Sequence, residues 1–497
     1  MTPSVTVFTS TNPEHLGKIY TLENNALVKK TAGFMVSGTY ETVEFDNVHG
    51  LAALMESTNK NQAISNSLPR AGLPLSGLVV SKKLLPQTPK AISRTKENFN
   101  LDHACRGVLT LDYDPSPDSK VLSRNELWKL LQETIPGLDQ AGVVYWCSGS
   151  SYIYHGETEL KGLSGQRVYI LVETLSDVPR AVGNLNDRLW LKGYGRIMVS
   201  SSGAMLERSL FDAAMAEPAR LDFIGGSICT PPLEQRRGKP VILSEGGWLD
   251  TLNALPDLTN EEAEKLASLK LDARDAMQAA AETAKQLWLA SRGETIARSL
   301  ESAGVERTHA AERGNQAARA ALGGVLLGDF PLTLESGETV TIGDLLDNRE
   351  KYHGVCCRDP IEPGYLNGKI TAKVYLFGAS PNLHSFARGS TNYRLKRQPR
   401  RVILQGGRRV ETAQEILSKL ADEPDLFIYG GELCRHIGKK MDPCRHVSTI
   451  SLITEARLAL YRQGKDGSLT PANLDDATAS MIFNNLSSLT LGASNHA

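Results

Sequence analysis

The sequence lacks several features that would assign the chain to a large class of proteins. No apolar run reaches the roughly 18 residues that a membrane-spanning helix requires, and the N-terminus has no charged-then-apolar targeting signal. Neither charge is in surplus, since 55 Lys and Arg residues balance 56 Asp and Glu residues, so any attraction for a polyanion must be local. The seven scattered cysteines, an odd number, fit a reducing interior better than a disulfide framework. These absences predict a cytoplasmic protein without membrane partners.

The chain is long enough for about three domains of roughly 150 residues each. Strand and helix signals alternate from 101 to 240, alanine-rich sequence fills 257–325, and short strands return from 329. A capping box at Ser123 and Glu126 predicts a helix over 123–131, and Thr259 and Asn260 predict the start of a long helix. We therefore expect an α+β fold with a mixed-sheet domain over 1–245, a helical region over 257–325, a smaller α+β domain over 329–465 and a flexible tail over 466–497.

The sequence Val-Leu-Thr-Leu-Asp-Tyr-Asp at 108–114 is the most informative stretch of the chain. It predicts a buried strand that ends in two carboxylates, and the alternation of a strand places Asp112 and Asp114 on one side with Tyr113 opposed. Two carboxylates on one face repel unless a cation lies between them, and such hard oxygen ligands suit Mg²⁺ or Mn²⁺. Asp-x-Asp also occurs by chance, and Asp114 before a proline could open a turn. The position at the end of an apolar strand favours metal binding.

A third carboxylate of the same kind lies far downstream, at Asp222 in Leu-Asp-Phe. The apolar sequence at 220–224 predicts another strand, so we expect Asp222 to join Asp112 and Asp114. Three aspartates around a pair of divalent ions would serve phosphoryl or nucleotidyl transfer, with one ion on each side of an in-line displacement.

The order of these segments resembles the archaeo-eukaryotic primase superfamily, the primase-polymerases of phages, plasmids and integrated elements. The first motif of that family, an apolar strand ending in Asp-x-Asp, matches 111–114, and its third, an apolar strand with one Asp, matches 221–223. The resemblance covers about 40–245 and lies in the order and spacing of short motifs. It implies a primase-polymerase-like mixed-sheet catalytic domain, with catalytic and metal-binding roles for Asp112, Asp114 and Asp222.

The second motif of the family, a Ser/Gly turn followed by a His and a strand, is matched with one departure. The turn and strand at 163–172 carry Arg167 where the family usually has His. The resemblance implies that the residue at this position contacts nucleotide phosphates, and the planar guanidinium of Arg167 can make this contact as the family's His does. A different register would offer His155, and Arg167 could instead pair with a carboxylate for stability. We favour Arg167 for the motif because its strand is longer and more apolar.

Further residues are expected to contact nucleotide or template, either because they flank the motifs or because they lie in basic runs. The candidate nucleotide ligands are Ser202, Arg208 and Arg220, together with Arg167. The candidate nucleic-acid contacts are Arg94, Lys96, Arg394, Lys396 and Arg397. Basic runs, here 394–401 and 235–239, attract phosphate electrostatically, although a solvated charged loop is about as common.

Two other clusters carry weaker predictions. His353, Cys356, Cys357 and His384 lie in a region weakly similar to the segment after the primase domain of phage primase-helicases, but their spacing fits no regular zinc pattern, so buried cysteines are favoured. The glycines of 431–440 are too far apart for a P-loop. Because no helicase motor follows, the resemblance implies a separate replicative helicase as a partner or a chain that is a fragment of a primase-helicase.

The combined expectation is a template-dependent nucleotidyltransferase, a DNA primase or polymerase of phage or mobile-element replication. It would use Mg²⁺ or Mn²⁺, single-stranded DNA template and nucleoside triphosphates. Two alternatives stay open: a metal-dependent nuclease with the same aspartates, and a non-catalytic replication or DNA-binding factor with a degenerate primase fold. A polymerase-beta-type transferase is disfavoured, because its Gly-Ser turn precedes the Asp-x-Asp, whereas the Ser-Gly-Ser of 148–150 follows it here.

Overall fold

The computed structural model of the chain is a mixed α+β structure with 35% helix and 31% strand, so the predicted fold class is confirmed. It describes residues 2–31, 35–115, 120–366, 368–377, 380–387, 390–398, 400–404, 407–421, 426–429, 432–437, 440–463 and 469–485. The chain forms two compact units: Met1–Met198 with Met205–Gln278, and Val199–Ala204 with Ala279–Ala497. Among the described residues, no helix combines the length and the apolarity needed to cross a membrane.

The described residues of the first unit form eighteen strands and four helices, together with the start of a fifth helix. In chain order these elements are β1 (Ser4–Asn12), β2 (Lys18–Glu23), β3 (Ala26–Thr31), β4 (Ser37–Glu44), α1 (Val48–Ser57), β5 (Gln62–Ser65), β6 (Leu68–Pro69), β7 (Ser76–Val80), β8 (Phe99–Asn100), β9 (Gly107–Tyr113), α2 (Arg124–Thr134), β10 (Gly142–Cys147), β11 (Ile153–His155), β12 (Thr158–Lys161), β13 (Gln166–Val172), α3 (Val178–Leu191), β14 (Arg196–Val199), β15 (Met205–Arg208), β16 (Ile228–Cys229), β17 (Leu233–Gln235), β18 (Val241–Glu245), α4 (Thr251–Ala254) and α5 (Asn260–Ser302). Both predicted helix starts are confirmed, because Ser123 and Glu126 form the capping box of α2 and Thr259 exchanges hydrogen bonds with Glu262 at the start of α5.

The central sheet of the first unit has the strand order β18-β10-β13-β9, with every neighbouring pair antiparallel. Side chains alternate between its two faces. One face packs against α2 and α3 through residues such as Leu111 and Ile170, and the other packs against α1 through residues such as Val108 and Leu171. Burial of both faces explains why these strands are nearly continuous apolar runs in the sequence.

The second unit contains the rest of α5, and its described residues also form the helix α6 and eighteen shorter elements. In chain order these are α6 (Arg307–Leu322), β19 (Val325–Leu326), β20 (Pro331–Thr333), β21 (Thr339–Thr341), α7 (Ile342–Asp347), α8 (Arg349–Tyr352), β22 (Cys356–Arg358), β23 (Ile370–Tyr375), β24 (Asn382–Ser385), β25 (Thr391–Leu395), β26 (Arg400–Leu404), α9 (Arg409–Ala421), β27 (Leu426–Tyr429), β28 (Glu432–Ile437), β29 (Lys440–Pro443), α10 (Val447–Arg457), β30 (Leu458–Gln463), β31 (Leu469–Pro471) and α11 (Asp476–Asn485). The helices α5 and α6 pack closely at Gly314, where a Cβ atom would collide with the carbonyl oxygen of Gly293.

The middle part of the segment predicted as a flexible tail, 466–497, contains a helix. Helix α11 occupies Asp476–Asn485, and its Ala479 and Ile482 are fully buried in a core cluster with α9 and α10. The polar composition of this segment concealed the two apolar positions that face the core. Residues 486–497 of the predicted tail lie outside the described residues.

The two histidines of the cluster at 353–384 have hydrogen-bond partners within the protein. His353 accepts a hydrogen bond from the backbone of Leu376 at 3.0 Å, and His384 bonds to Asn392 and Ser390. Cys357 is fully buried, and all seven cysteines are free thiols. Within 431–440, the described residues 432–437 form strand β28, whereas 431, 438 and 439 lie outside the described residues.

Candidate functional site

The polar end of the central sheet is built by the pairing of β9 with β13. The two strands are antiparallel, and their register places Arg167 directly opposite Asp112. Both side chains project from the face that packs against α1, because Asp112 points to the same side of β9 as Val108, and Arg167 points to the same side of β13 as Tyr169. Tyr113 lies in the core of the opposite face, as the alternation predicted. The apolar row on the α1 face therefore ends in a carboxylate and a guanidinium.

Arg167 connects two aspartates that are far apart in sequence. Its Nη2 atom lies 3.1 Å from Asp112 Oδ2, and its Nε atom lies 2.9 Å from Asp222 Oδ1. The three side chains are 14%, 12% and 3% exposed, so little water screens these ion pairs. Burial alone would lower the pKa of the Arg167 guanidinium, but Asp112 and Asp222 raise it above its ordinary value. Arg167 is thus a permanent positive charge between two buried carboxylates.

Asp222 reaches this centre without belonging to a strand, so the strand predicted over 220–224 was wrong. Its backbone forms an isolated antiparallel bridge with Ile64, in which the distances from amide nitrogen to carbonyl oxygen are 2.8 and 3.0 Å. Ala219 and Gly226 adopt left-handed φ values of 60° and 87°, and these turns leave only a short extended piece between them. The hydroxyl of Tyr169 donates to Asp222 Oδ2 at 2.6 Å. Burial raises the pKa of the Asp222 carboxyl, against the opposing effects of Arg167 and Tyr169.

Asp114 follows the last residue of β9 and is exposed. Partial desolvation by the surrounding protein, and then the charge of Asp112, raise the pKa of its carboxyl. The turn before β13 leaves room for it only because residue 165 is glycine: a Cβ there would lie 2.6 Å from Asp114 Oδ1 and 2.5 Å from Ser148 Oγ. The Ser/Gly turn seen in the sequence therefore borders this carboxylate.

Two buried carboxylate oxygens of this centre, one on Asp112 and one on Asp222, accept no hydrogen bond. Asp112 Oδ1 is buried and accepts no hydrogen bond, which is costly for a carboxylate unless a cation satisfies it. Asp112 and Asp114 together thus fit a hard cation such as Mg²⁺ or Mn²⁺. Asp222 differs in its surroundings, because its Oδ2 accepts a hydrogen bond from Tyr169 and its Oδ1, which likewise accepts none, lies 2.9 Å from Arg167 Nε. Its role as a third metal ligand stays a prediction. Among the residues that the structure describes, no three His, Cys, Asp or Glu side chains are grouped to hold a metal ion.

A fourth carboxylate, which sequence reasoning did not assign, borders the same centre. Phe211 bridges to Tyr113, and the backbone N–H of Asp212 donates to the carbonyl of Asp112 at 3.0 Å. Asp212 lies close enough to Asp114 to contribute to its raised pKa. It also lies 3.6 Å from Arg220. Arg220, a predicted nucleotide ligand, therefore reaches the rim of the centre through Asp212.

The other predicted ligands of the first unit make contacts outside the Asp112 centre. Arg94 donates to the carbonyl of Ala219 at 2.5 Å, and Arg208 donates to the carbonyl of Glu207 at 2.9 Å. Lys96 is exposed. His155, the alternative to Arg167, is an exposed residue of β11 in a different three-stranded sheet.

The remaining predicted ligands belong to the second unit. Ser202 lies in its Val199–Ala204 segment, where the Ser202 hydroxyl is 3.1 Å from that of Ser200. In the basic run, Arg394 and Lys396 are exposed, whereas Arg397 forms an ion pair with Asp347.

The second basic run, 235–239, is largely neutralised by the first unit itself. Arg236 pairs with Glu157 at 3.3 Å and also with Glu234, and Lys239 pairs with Glu56 at 2.5 Å. Arg237 stacks over Trp146 at 3.6 Å from the ring centroid, and burial lowers the pKa of its guanidinium to about 10. The cations of this run therefore have partners within the first unit.

A comparison of the chain with protein-family models, with curated proteins and with solved structures finds no match.

Proposed function

We propose that this chain is a template-dependent nucleotidyltransferase of the primase-polymerase type, dependent on Mg²⁺ or Mn²⁺. The observation that carries the proposal is the buried, unpartnered Oδ1 atom of Asp112 beside Asp114, at the end of the β9–β13 pair. The resemblance of the motifs at 111–114, 163–172 and 221–223 supports the choice of reaction. It also suggests phage or mobile-element replication as the setting.

In this proposal Asp112 and Asp114 would hold the divalent ion. When bound, that ion would neutralise triphosphate charge and activate the attacking hydroxyl. Arg167 fixes Asp112 from the opposite strand, so Oδ2 is turned toward the guanidinium and Oδ1 stays free of protein donors. Tyr169 and Arg167 hold the buried carboxylate of Asp222 through contacts to its two oxygens. The guanidinium of Arg167 thus holds the Asp112 carboxylate in one position, so its charge is already oriented before a substrate binds.

For the template we propose the exposed cations of the predicted set. Arg394 and Lys396 on the second unit, and Lys96 on the first, are exposed and suited to contact with backbone phosphates. Binding through such residues releases counterions, so affinity for single-stranded DNA should fall steeply as salt rises. Arg397 is a weaker candidate, because Asp347 already pairs with it.

Primer extension on single-stranded DNA tests the proposal. The wild type, with labelled deoxynucleotides or ribonucleotides and Mg²⁺ or Mn²⁺, should add nucleotides complementary to the template, and chelation of the metal should stop the reaction. Asp112→Asn should lower the rate by at least roughly a hundredfold, since a bound ion contributes several kcal/mol of transition-state stabilisation. Asp114→Asn, at an exposed position, should do the same.

Asp272→Asn is the matched control, because Asp272 is an exposed acidic residue of α5 in the same unit. It should extend primers at the wild-type rate. Metal-dependent shortening of the labelled strand, without extension, would identify a nuclease instead. Equal activity of wild type and Asp112→Asn would contradict the proposed site.

The ion pairs of Arg167 favour a second candidate, a non-catalytic factor that binds nucleic acid. The guanidinium pairs with both Asp112 and Asp222 and so offsets part of their negative charge without a metal. This candidate predicts salt-sensitive binding of single-stranded DNA by the wild type, unaffected by Asp112→Asn, with no nucleotide incorporated under any metal.

A further inference from the structure

We infer that the first unit carries a polyphosphate-binding site beside Asp114, formed by Lys18, Lys29 and Lys161 and called here the lysine cluster. None of these residues belongs to the motifs that resemble the primase-polymerases. The inference rests on the proposed function only in naming the ligand, the triphosphate of an incoming nucleotide.

The β2–β3 hairpin places two of the three lysines on one face. Its register pairs Tyr20 with Lys29, and Lys18 projects to the same side as Tyr20 because the two are separated by one residue of β2. Farther along this face, Leu22 and Leu27 are opposite each other and pack against a small apolar cluster. The face is therefore apolar at the hairpin end and cationic at the other end.

Strand β12 brings the third lysine onto the same aromatic ring. The Nζ atom of Lys161 lies 6.0 Å from the centroid of Tyr20. Lys161 and Lys18 both lie within electrostatic range of Lys29 and of Asp114. Lys18 and Lys161 are thus electrostatic neighbours of Asp114, Lys29 is a neighbour of both lysines, and Lys161 lies over Tyr20.

The positive charge of the lysine cluster is not balanced by ion pairs. Among the described residues, no carboxylate forms an ion pair with Lys18, Lys29 or Lys161, whereas the neighbouring Lys30 pairs with Glu23 at 2.7 Å. Burial lowers the pKa of the Lys18 and Lys161 ammonium groups, and Lys29 lowers both further, whereas the charge of Asp114 opposes this shift in both without cancelling it. Like charges that are partly desolvated and close together are unfavourable alone, so this arrangement favours a bound polyanion.

Tyr20 supplies an independent sign of a missing ligand. Its side chain is 1% exposed, and its hydroxyl is buried without a hydrogen-bond partner. Burial, and then the charges of Cys229 and Asp114, raise the pKa of this phenol to about 12, so it stays a neutral donor at physiological pH. A buried donor without an acceptor is uncommon in folded proteins, and a phosphate oxygen would satisfy it.

The position beside Asp114 selects the class of polyanion. A polyphosphate chain on the lysine cluster would have one end next to the Asp112–Asp114 pair, where the proposed divalent ion would bind phosphate oxygens as well. A nucleoside triphosphate fits both parts, whereas an isolated phosphate would use only one. The predicted ligands Arg208 and Ser202 are not needed for this contact.

Titration calorimetry with inorganic tripolyphosphate, in the absence of divalent metal, tests the lysine cluster. The wild type should bind, and Lys18→Ala and Lys29→Ala should each weaken binding by roughly tenfold, as for loss of one charge-assisted contact. Lys30→Ala is the matched control, because Lys30 follows Lys29 directly but projects from the opposite face of the hairpin. It should bind as the wild type does. Tyr20→Phe, which removes only the hydroxyl, should weaken binding by a smaller factor.

The outcomes separate this inference from the proposed function. Tripolyphosphate binding that depends on Lys18 and Lys29, without nucleotide incorporation, would leave the polyphosphate site standing and remove the polymerase. Extension by Lys18→Ala and Lys29→Ala with unchanged KM for the nucleotide would remove the polyphosphate site and leave the polymerase. No binding by the wild type, or equal losses in Lys30→Ala, would also overturn it. So would a single-stranded oligonucleotide, lacking a triphosphate, that displaces tripolyphosphate from the cluster, since that would mark a strand-backbone site.

Discussion

Replacing Arg167 with alanine is expected to destabilise the first unit strongly. The substitution removes the cation that lies 3.1 Å from Asp112 Oδ2 and 2.9 Å from Asp222 Oδ1, and leaves both carboxylates buried without it. Breaking a buried ion pair from one side costs about 3–5 kcal/mol. The loss should be near the upper end, because two carboxylates share the same guanidinium. At about 1.4 kcal/mol per factor of ten, the opened state of this region should become roughly a hundred to several thousand times more populated.

Hydrogen exchange of the amides in β9 and β13, followed by mass spectrometry, measures this opening locally, in the two strands that carry Asp112 and Arg167. Arg106→Ala is the control: Arg106 pairs with Glu173 at 3.3 Å, but both side chains are nearly half exposed, so its loss should cost at most about 1 kcal/mol. Protection of β9 and β13 that falls no further in Arg167→Ala than in Arg106→Ala would refute the reasoning.

The destabilisation of Arg167→Ala should depend on pH and on divalent cations. Without the guanidinium, the pKa of Asp222 in the folded protein, which burial already raises, lies further above its unfolded value. This part of the cost is therefore fully present above that folded value and disappears as pH falls through it, because the carboxyl becomes neutral. Millimolar Mn²⁺ should restore part of the protection in Arg167→Ala, since a cation would replace the lost charge. A loss that is the same at all pH values and unaffected by Mn²⁺ would contradict this electrostatic origin.

Three smaller predictions follow from individual contacts. Tyr169→Phe removes the donor 2.6 Å from Asp222 Oδ2 and should destabilise the first unit by about 1.5–3 kcal/mol, measured by the same exchange experiment. Asp114→Asn should raise the melting temperature slightly at neutral pH, because the pKa of Asp114 is raised in the folded protein and its ionised form is therefore unfavourable there. The gain in melting temperature should vanish as pH falls through that pKa. A lower melting temperature of Asp114→Asn at neutral pH would contradict this expectation. Ser123→Ala, which removes the N-cap of α2, should cost about 1 kcal/mol in urea denaturation, whereas an unchanged midpoint would argue against the capping box.

The parts of the fold that could be predicted are those fixed by local sequence. The capping box of α2 needs only two residues three positions apart, and strand β9, Gly107–Tyr113, covers most of the buried strand predicted over 108–114. The opposition of Asp112 and Tyr113 follows from strand alternation alone. Each of these features is decided within one element, so a single sequence contains the information.

The centre itself depends on contacts between distant elements. Arg167 opposes Asp112 through a strand register spanning 55 residues, and Asp222 arrives on an isolated bridge to Ile64. Sequence reasoning grouped the three aspartates by their type and expected cations between them, but no periodicity could show that an arginine occupies part of that space. The lysine cluster was missed for the same reason, because its members come from three short strands of ordinary composition.

The identity of the nucleotide added opposite each template base tests the central claim most directly. On homopolymer single-stranded templates with annealed primers and Mn²⁺, we expect the wild type to incorporate only the complementary nucleotide and Asp112→Asn to incorporate none above background. Incorporation that ignores the template, or that survives in Asp112→Asn, would contradict a templated transferase centred on the end of β9.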